Sequence, residues 1–575
     1  MRDSTASAKK HLKKALEERA FVRGKDERII QASGAIAPES EWLFDIRRIV
    51  MEPEIMRDIA TLFWHTFSQK KPTQIGGLEV GAIPLVTELV AHAHYRRDRK
   101  DVSGFFIRKS RKKTGLTRMV EGQLHKGRRV ILVDDLTNSG KSFVRQVEVL
   151  ESLGHTVEAI WVIVRFRDED YYAYFKEKNI ALHSVFDLND FADTLGTKNL
   201  TKKNPPPPPA QSFKVHWKFA SANPSYHYVV PKSDPAIDEH RVYIGSDAGV
   251  MYALNQSDGT TAWSYRVGFH VKGKGIFSSP ALHDGTVYFG GYDGNVYALD
   301  ANTGKRKWVS LEADWVGSSP ALAPELGLLF IGLEYGLWKK RGGIAALDLK
   351  TGRTAWAYRD MPCYTHSSPL YLKKHRQIVI GSNDGGAYLF DARRGTLVWK
   401  YTAGTLTEEE LRTGFSAHDI KESFAYDEKR DLIIFGTMSG QLCFVRRKDG
   451  TLAGSFQAEF GFNASPVICG NAVLAASLDK HLYCIDLDTF KERWRWHAGA
   501  RLFATPVIID GTIYIGANTG RLTEIDPETG AEKVSVTLTE RITNKIAYNP
   551  STRRFFVPTF ANELYCMEKI ETATV

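Results

Sequence analysis

The segment Arg129-Val-Ile-Leu-Val-Asp-Asp-Leu-Thr-Asn-Ser-Gly-Lys-Ser142 concentrates the groups best suited to chemistry in this 575-residue chain. Two adjacent carboxylates, Asp134 and Asp135, follow four apolar residues. A small polar loop comes next: Asn138, Ser139, Gly140, Lys141 and Ser142. Such a loop suits a phosphate, because the amides that open a helix are unpaired and the helix dipole is positive there. Ser139 and Ser142 add hydroxyl donors. Two unpaired acids beside a phosphate would repel it if packing were their only task. As acceptor-only groups they suit the hydroxyls of a sugar whose phosphate sits in the loop. Two other readings compete. Gly-Lys-Ser suggests a nucleotide P-loop, but GxxxxGK[ST] needs glycine where Asp135 stands. A plain structural turn leaves the paired acids unexplained.

The elements that must position this loop are legible around it. Val130 to Val133 form a continuous apolar run, the mark of a strand buried on both faces. Phe143, Val147 and Leu150 recur at helical spacing, and Gly154 supplies the helix stop. Val157 to Val164 read as the next strand. This is a strand–helix–strand unit with the loop at the helix N-terminus. Charge points to the same region. Residues 1–204 carry 36 Lys+Arg against 28 Asp+Glu, while the remaining 371 carry 41 against 39. Thirteen of those basic residues, with only three acids, fall between Arg96 and Arg129. The net charge of +10 therefore marks an anion-handling region rather than a basic protein throughout.

The acidic pair and its loop resemble the phosphoribosyl pyrophosphate (PRPP) motif of type I phosphoribosyltransferases, and residues of about 25–195 resemble orotate phosphoribosyltransferase in particular. Ser33-Gly34, Pro38 and Phe44-Asp45 are similar to that family's N-terminal segment, loosened by an insertion. Gly77, Leu78, Glu79, Val80 and Gly81 resemble its pyrophosphate loop. Arg108-Lys-Ser-Arg-Lys-Lys-Thr-Gly115 resembles its mobile catalytic loop, and Glu121-Gly122 the end of that loop. The resemblance implies that Asp134 and Asp135 bind the ribose hydroxyls and that Asn138 to Ser142 cradle the 5′-phosphate. It implies that Arg108, Lys109 and Lys112 close over the leaving pyrophosphate. Mg²⁺ would arrive on PRPP, with no direct protein ligand assigned. Arg165, Arg167 and Phe44 fall on the acceptor side. The family's loop histidine is Thr114 here, and the lysine before Ser-Gly is Ala32. The PRPP half of the site is thus retained and the base half altered, so an acceptor other than orotate is expected. The family also implies a homodimer through the N-terminal domain.

After the tract Pro205 to Pro209, a stiff spacer by composition, the pattern changes. Val242-Tyr-Ile-Gly-Ser-Asp-Ala-Gly-Val-Met-Tyr-Ala-Leu254 is matched almost residue for residue from Val287. Further copies begin near Leu328, Ile378, Leu432, Val473, Ile513 and Phe555, which makes eight. Each copy holds two alternating strands. An Asp-x-x-Thr-Gly turn or a variant of it follows, then an outer strand marked in five copies by Trp263, Trp308, Trp356, Trp399 or Trp494. Ser-Ser-Pro or a close variant precedes most copies. Four short strands per unit predict propeller blades. The lone strand Val215-His-Trp-Lys-Phe219 is expected to complete the last blade, which lacks an outer strand of its own. These repeats resemble pyrroloquinoline-quinone-type repeats, in which the tryptophan docks blade to blade. With no adjacent cysteine pair, no quinone cofactor is expected.

The sequence therefore predicts a multidomain chain: an α/β type I phosphoribosyltransferase domain at 1–200, a proline-rich linker at 201–212, and an all-β eight-bladed propeller at 213–570. The expected activity is Mg²⁺-dependent transfer of 5-phosphoribosyl from PRPP to a base-like or nucleotide acceptor. The propeller would hold a protein or other macromolecular ligand, in a regulatory, stress or defence setting. The alternative is a catalytically silent protein that senses PRPP and contacts nucleic acid or a protein partner. No apolar run is long enough to span a membrane. The first twenty residues lack the apolar core of a secretory signal. Five scattered cysteines without a CxxC pair read as buried thiols in a reducing compartment, so a cytoplasmic location is expected.

Overall fold

The computed structural model describes residues 2–23, 42–69, 73–95, 101–108, 120–138, 140–195, 213–221, 233–268, 275–337, 340–538 and 540–570. The chain divides into two compact units, Met1–Ala210 and Gln211–Val575.

The first unit opens with α1 (Arg2–Ala15), a short antiparallel pair β1 (Phe21–Arg23) and β2 (Trp42–Phe44), and α2 (Pro53–Thr66). Then come β3 (Thr73–Leu78), α3 (Ala82–Tyr95), β4 (Val102–Ile107), β5 (Val120–Gly122), β6 (Arg129–Thr137), α4 (Lys141–Ser152), β7 (Val157–Arg165) and β8 (Ala181–Asp187). Strands β5-β4-β3-β6-β7-β8 form one sheet, parallel except for β5. The apolar run in β6 is explained by its central place. Ile131 and Val133 face a core shared with α1, α2 and α3. Val130 and Leu132 face a second core with Phe143, Val147 and Leu150 of α4. All four strand residues are fully buried, each contributing on the order of 1.5–3 kcal/mol. The end of α4 closes as the sequence predicts. Gly154 takes a left-handed φ of 78°, its N–H bonds Glu151 O at 2.9 Å, and His155 N–H reaches back to Leu150 O at 2.9 Å.

The second unit consists of eight four-stranded antiparallel sheets, each built by consecutive strands but for one. The eighth sheet takes Ala547–Asn549, Arg554–Pro558 and Glu563–Lys569 from the end of the chain and β9 (Phe213–Ala220) from its start. In the pairing, Cys566 lies opposite Trp217 and Leu564 opposite Phe219. This is the ring closure expected from the orphan strand. The Trp217 indole donates to Gln256 O of the first blade at 2.9 Å, as Trp263 donates to Ala301 O at 2.8 Å and Trp308 to Leu349 O at 3.0 Å.

The turn motif follows from this docking. Asp300 Oδ1 accepts the backbone N–H and the hydroxyl of Thr303, both at 2.9 Å, which folds the turn on itself. Gly304 then has a φ of 68°, and a Cβ there would stand 2.6 Å from the Trp263 ring. The serine pairs have a role that the repeat alone did not reveal. Ser278 Oγ accepts Gly290 N–H within its blade at 3.0 Å. The second serine links blades: Ser279 N–H bonds Ser319 Oγ at 2.8 Å, and Ser319 N–H bonds Ser368 Oγ at 2.9 Å.

Two outer strands have no tryptophan at the docking position, with Gly454 and Val534 there instead, and the first of these junctions compensates for it. The fifth blade has Gly454 where an outer-strand tryptophan would stand, and the next turn has Phe490, not glycine, at its end. A Cβ on Gly454 would collide with the Phe490 ring, and Phe490 holds a φ of 58°. Large and small have changed places across the junction. Phe490→Gly alone is expected to lose about 3–5 kcal/mol, because it leaves a cavity. The pair Gly454→Trp with Phe490→Gly should recover most of it. Denaturant melts of the single and paired variants test this, and strict additivity would refute the exchange.

All five cysteines are free; Cys363, Cys443, Cys484 and Cys566 are buried and Cys469 is partly buried. Burial pushes the Cys443 and Cys484 thiols up to about 12.

Candidate active site

Asp134 and Asp135 stand half-buried near the C-terminal end of β6, where a parallel sheet presents its ligand-binding edge. Asp134 Oδ1 accepts Asp135 N–H at 3.0 Å, and Asp135 Oδ1 accepts Leu136 N–H at 2.8 Å. These bonds orient both carboxylates. Burial nevertheless pushes the Asp135 carboxyl above the usual aspartate value, partly offset by the Leu136 N–H, by Asp134 and by Arg47.

The loop that follows is braced from below. Tyr172 OH donates to Asn138 O at 2.9 Å and to Thr137 O at 3.3 Å. Burial pushes its phenol up to about 12, so it stays a donor. Gly140 caps α4 with a φ of 72°, and a Cβ there would stand 3.2 Å from both Tyr172 and Phe175. Asn138 is exposed and Ser142 is exposed in the first turn of α4, while Lys141 opens that helix. Ser139 and the Lys141 side chain lie outside the described residues.

The turn Gly77–Gly81 leaves β3 beside these acids. A Cβ on Gly77 would stand 2.5 Å from Val133 O, and one on Gly81 would stand 3.5 Å from Asp134 Oδ1. The Glu79–Val80 bond is cis, and Val80 is 71% exposed. Glu79 N–H bonds Ile107 O at 2.8 Å. Just beyond β4, Arg108 Nη1 lies 3.5 Å from Glu79 Oε2 and 3.5 Å from Glu121 Oε1. Asp134 and Asp135, the loop that opens α4, the Gly77–Gly81 turn and Arg108 are therefore gathered at one sheet edge. Lys109 and Lys112 lie outside the described residues, as do Ala32 to Pro38, Thr114 and the proline tract.

The phosphoribosyl transferase domain profile matches residues 46–184. Orotate phosphoribosyltransferase of Methanothermobacter thermautotrophicus is 33% identical over 189 residues, covering 33% of this chain and 96% of that protein. That of Rhodopseudomonas palustris is 28% identical over 195 residues, covering 33% of this chain and all of that one. The profile of outer membrane protein assembly factor BamB matches residues 211–359 and 383–574. The chain belongs to the orotate phosphoribosyltransferase family through its N-terminal third and to the BamB family through its propeller. The crystal structure of BamB from Moraxella catarrhalis superimposes with a TM-score of 0.51 at 18% identity, over 62% of this chain and 99% of that one, a likeness of fold.

On the acceptor side of the phosphoribosyltransferase site the three expected residues part company. Phe44 is 4% exposed, with its ring edge-on to Phe21, Phe166 and Phe191, so it belongs to the core. Arg167 Nε donates to Asn138 Oδ1 at 3.0 Å, which ties it to the loop that precedes α4. Arg165 lies opposite Thr137 in the β6–β7 pairing and pairs with Glu169 at 3.0 Å, while its Nε is buried without a hydrogen-bond partner among the described residues. Two residues of this site were not foreseen. Tyr172 gives no sequence signal, since it acts from 34 residues away. Arg47, paired with Asp45 at 2.8 Å, places a positive charge near Asp135.

Proposed function

We propose that the N-terminal unit transfers 5-phosphoribosyl from PRPP to a base-like acceptor other than orotate and releases pyrophosphate. The observation that carries this reading is the approach of the Gly77–Gly81 turn to Asp134, next to the loop that opens α4. In this reading Asp134 and Asp135 accept the ribose hydroxyls, and the amides of residues 138–142 hold the 5′-phosphate. Arg108, with Lys109 and Lys112, stabilises the negative charge that moves onto pyrophosphate as the bond to C1′ breaks. Arg165 is the acceptor-side group, with a buried Nε that no hydrogen-bond partner engages among the described residues. The hard carboxylate oxygens beside the turn fit Mg²⁺ carried on PRPP, a well-hydrated ion that needs few protein ligands. When bound, Mg²⁺ would neutralise charge on the pyrophosphate oxygens.

The test is pyrophosphate release, with PRPP and Mg²⁺, against a panel of bases, nucleosides and nucleic acids. Release with one acceptor and not with orotate supports the reading. PRPP binding without turnover by any acceptor would favour the sensor. The active unit is read as a homodimer through the N-terminal unit. Light scattering at 64.6 kDa, rather than twice that, would exclude it. The propeller serves recognition or regulation in a cytoplasmic stress or defence role. Among the described residues no helix is long and apolar enough to cross a membrane.

A further inference from the structure

Among the described residues, three side chains on one rim of the propeller keep a polar atom out of water without a partner: Asn463 Oδ1, Asn518 Oδ1 and Arg541 Nε. Native proteins rarely leave such atoms unmatched: an ordered water, an ion or a ligand completes them. In a four-stranded blade, the hairpin between the second and third strands lies at the same end as the crossing to the next blade. Asn518 is in the hairpin after Thr512–Gly516, and Arg541 is in the crossing between Glu532–Thr537 and Ala547–Asn549. Their neighbours touch: Ile542 N–H bonds Ala517 O at 3.1 Å. Asn463 sits one residue after Phe462, whose N–H bonds Thr437 O at 2.9 Å. Phe503 follows Leu502, whose N–H bonds Ser477 O at 3.3 Å, so the two hold equal places on successive blades.

Arg541 is the centre of this rim. Its guanidinium carbon lies 3.9 Å from the centre of the Phe560 ring, and Phe503 packs against Phe560. No ion pair is recorded for it among the described residues; burial lowers its basicity, partly offset by the carboxylate of the adjacent, buried Glu540. A half-buried guanidinium over a ring keeps its N–H donors for an oxyanion. The amide oxygens of Asn463 and Asn518 require donors, which a bare phosphate or carboxylate lacks but a nucleobase has. Phe503, partly exposed, is a stacking surface for such a base.

We propose that this rim binds a nucleoside 5′-monophosphate, with the phosphate on Arg541 and the base edge on the asparagine amides. The choice of nucleotide rests on the transferase reading, since phosphoribosyl transfer to a base yields this class of product, and the propeller would then sense it. Equilibrium dialysis of the full chain against AMP, GMP, CMP and UMP tests the proposal, with orotate and inorganic phosphate as comparison ligands. The N-terminal site is disabled by Asp134→Asn with Asp135→Asn. One nucleotide per chain should remain bound in that variant. Adding Asn518→Asp, which places a negative charge at the rim with little change in shape, should weaken it at least tenfold. Arg541→Gln should do the same, with circular dichroism unchanged in both. Loss of all nucleotide binding in the N-terminal variant would overturn the proposal. So would wild-type affinity in a folded Asn518→Asp chain. Inorganic phosphate or orotate bound as tightly as every nucleotide would also overturn it, as a bare anion or carboxylate site. Nucleotide binding by the unmutated chain, with no pyrophosphate release from PRPP and Mg²⁺ against any acceptor, would sink the transferase reading alone.

Discussion

Trp217→Ala should cost the propeller about 3–5 kcal/mol, the usual loss when a large aromatic is cut from a packed site. The residue does two jobs at the seam. Its indole N–H bonds Gln256 O of the first blade at 2.9 Å, and its ring lies against Gly259 of that blade. It also belongs to the strand that closes the eighth blade. Trp263→Ala, at an ordinary junction, is the fitting comparison. Thermal melts of both variants and of two propeller fragments, begun at 211 and at 242, would measure the effect. The fragment from 242 lacks β9 and leaves Glu563–Lys569 as an open edge that invites aggregation. Equal melting temperatures for the two fragments would disprove the closure.

Asp135→Asn is expected to lower pyrophosphate release about a hundredfold, the scale on which one well-placed polar group commonly acts, near 3 kcal/mol. The fold should survive, because the exchange keeps shape and the Asn oxygen can still accept Leu136 N–H. PRPP affinity by calorimetry should fall with activity. Unchanged affinity would remove Asp135 from the sugar site. The carboxyl also carries a pH signature. Burial raises it above the ordinary aspartate value, and a protonated carboxyl accepts hydroxyls poorly. PRPP binding should therefore weaken on the acid side from a higher pH than an unperturbed aspartate would give, and this early decline should vanish in Asp135→Asn.

Features written along the chain were legible, and features made by contact across space were not. The run Val130 to Val133 reads as a buried strand because both of its faces are covered. The blades are readable because each repeats the same contacts. The tight turn at Asp300 is readable because its bonds span only three residues. Phe44 shows the limit. Its place in a family motif suggested the acceptor side, yet Phe166 and Phe191 enclose it from distant segments. Tyr172 braces the phosphate loop, and Phe490 fills the space before Gly454, through distances that no local period encodes.

The strand that seals the ring has a consequence for synthesis. His216 in β9 meets Glu568 across 352 residues. At 5–20 residues per second, β9 leaves the ribosome roughly 20–70 s before its partner exists. Seven blades can be made in that interval, while one strand waits with its hydrogen-bonding groups unclaimed. A message that stops early, anywhere short of Glu563, yields a chain that can never seal. The last sheet therefore gains its outer strand only once Glu563–Lys569 exists, and until then β9 keeps both of its edges open.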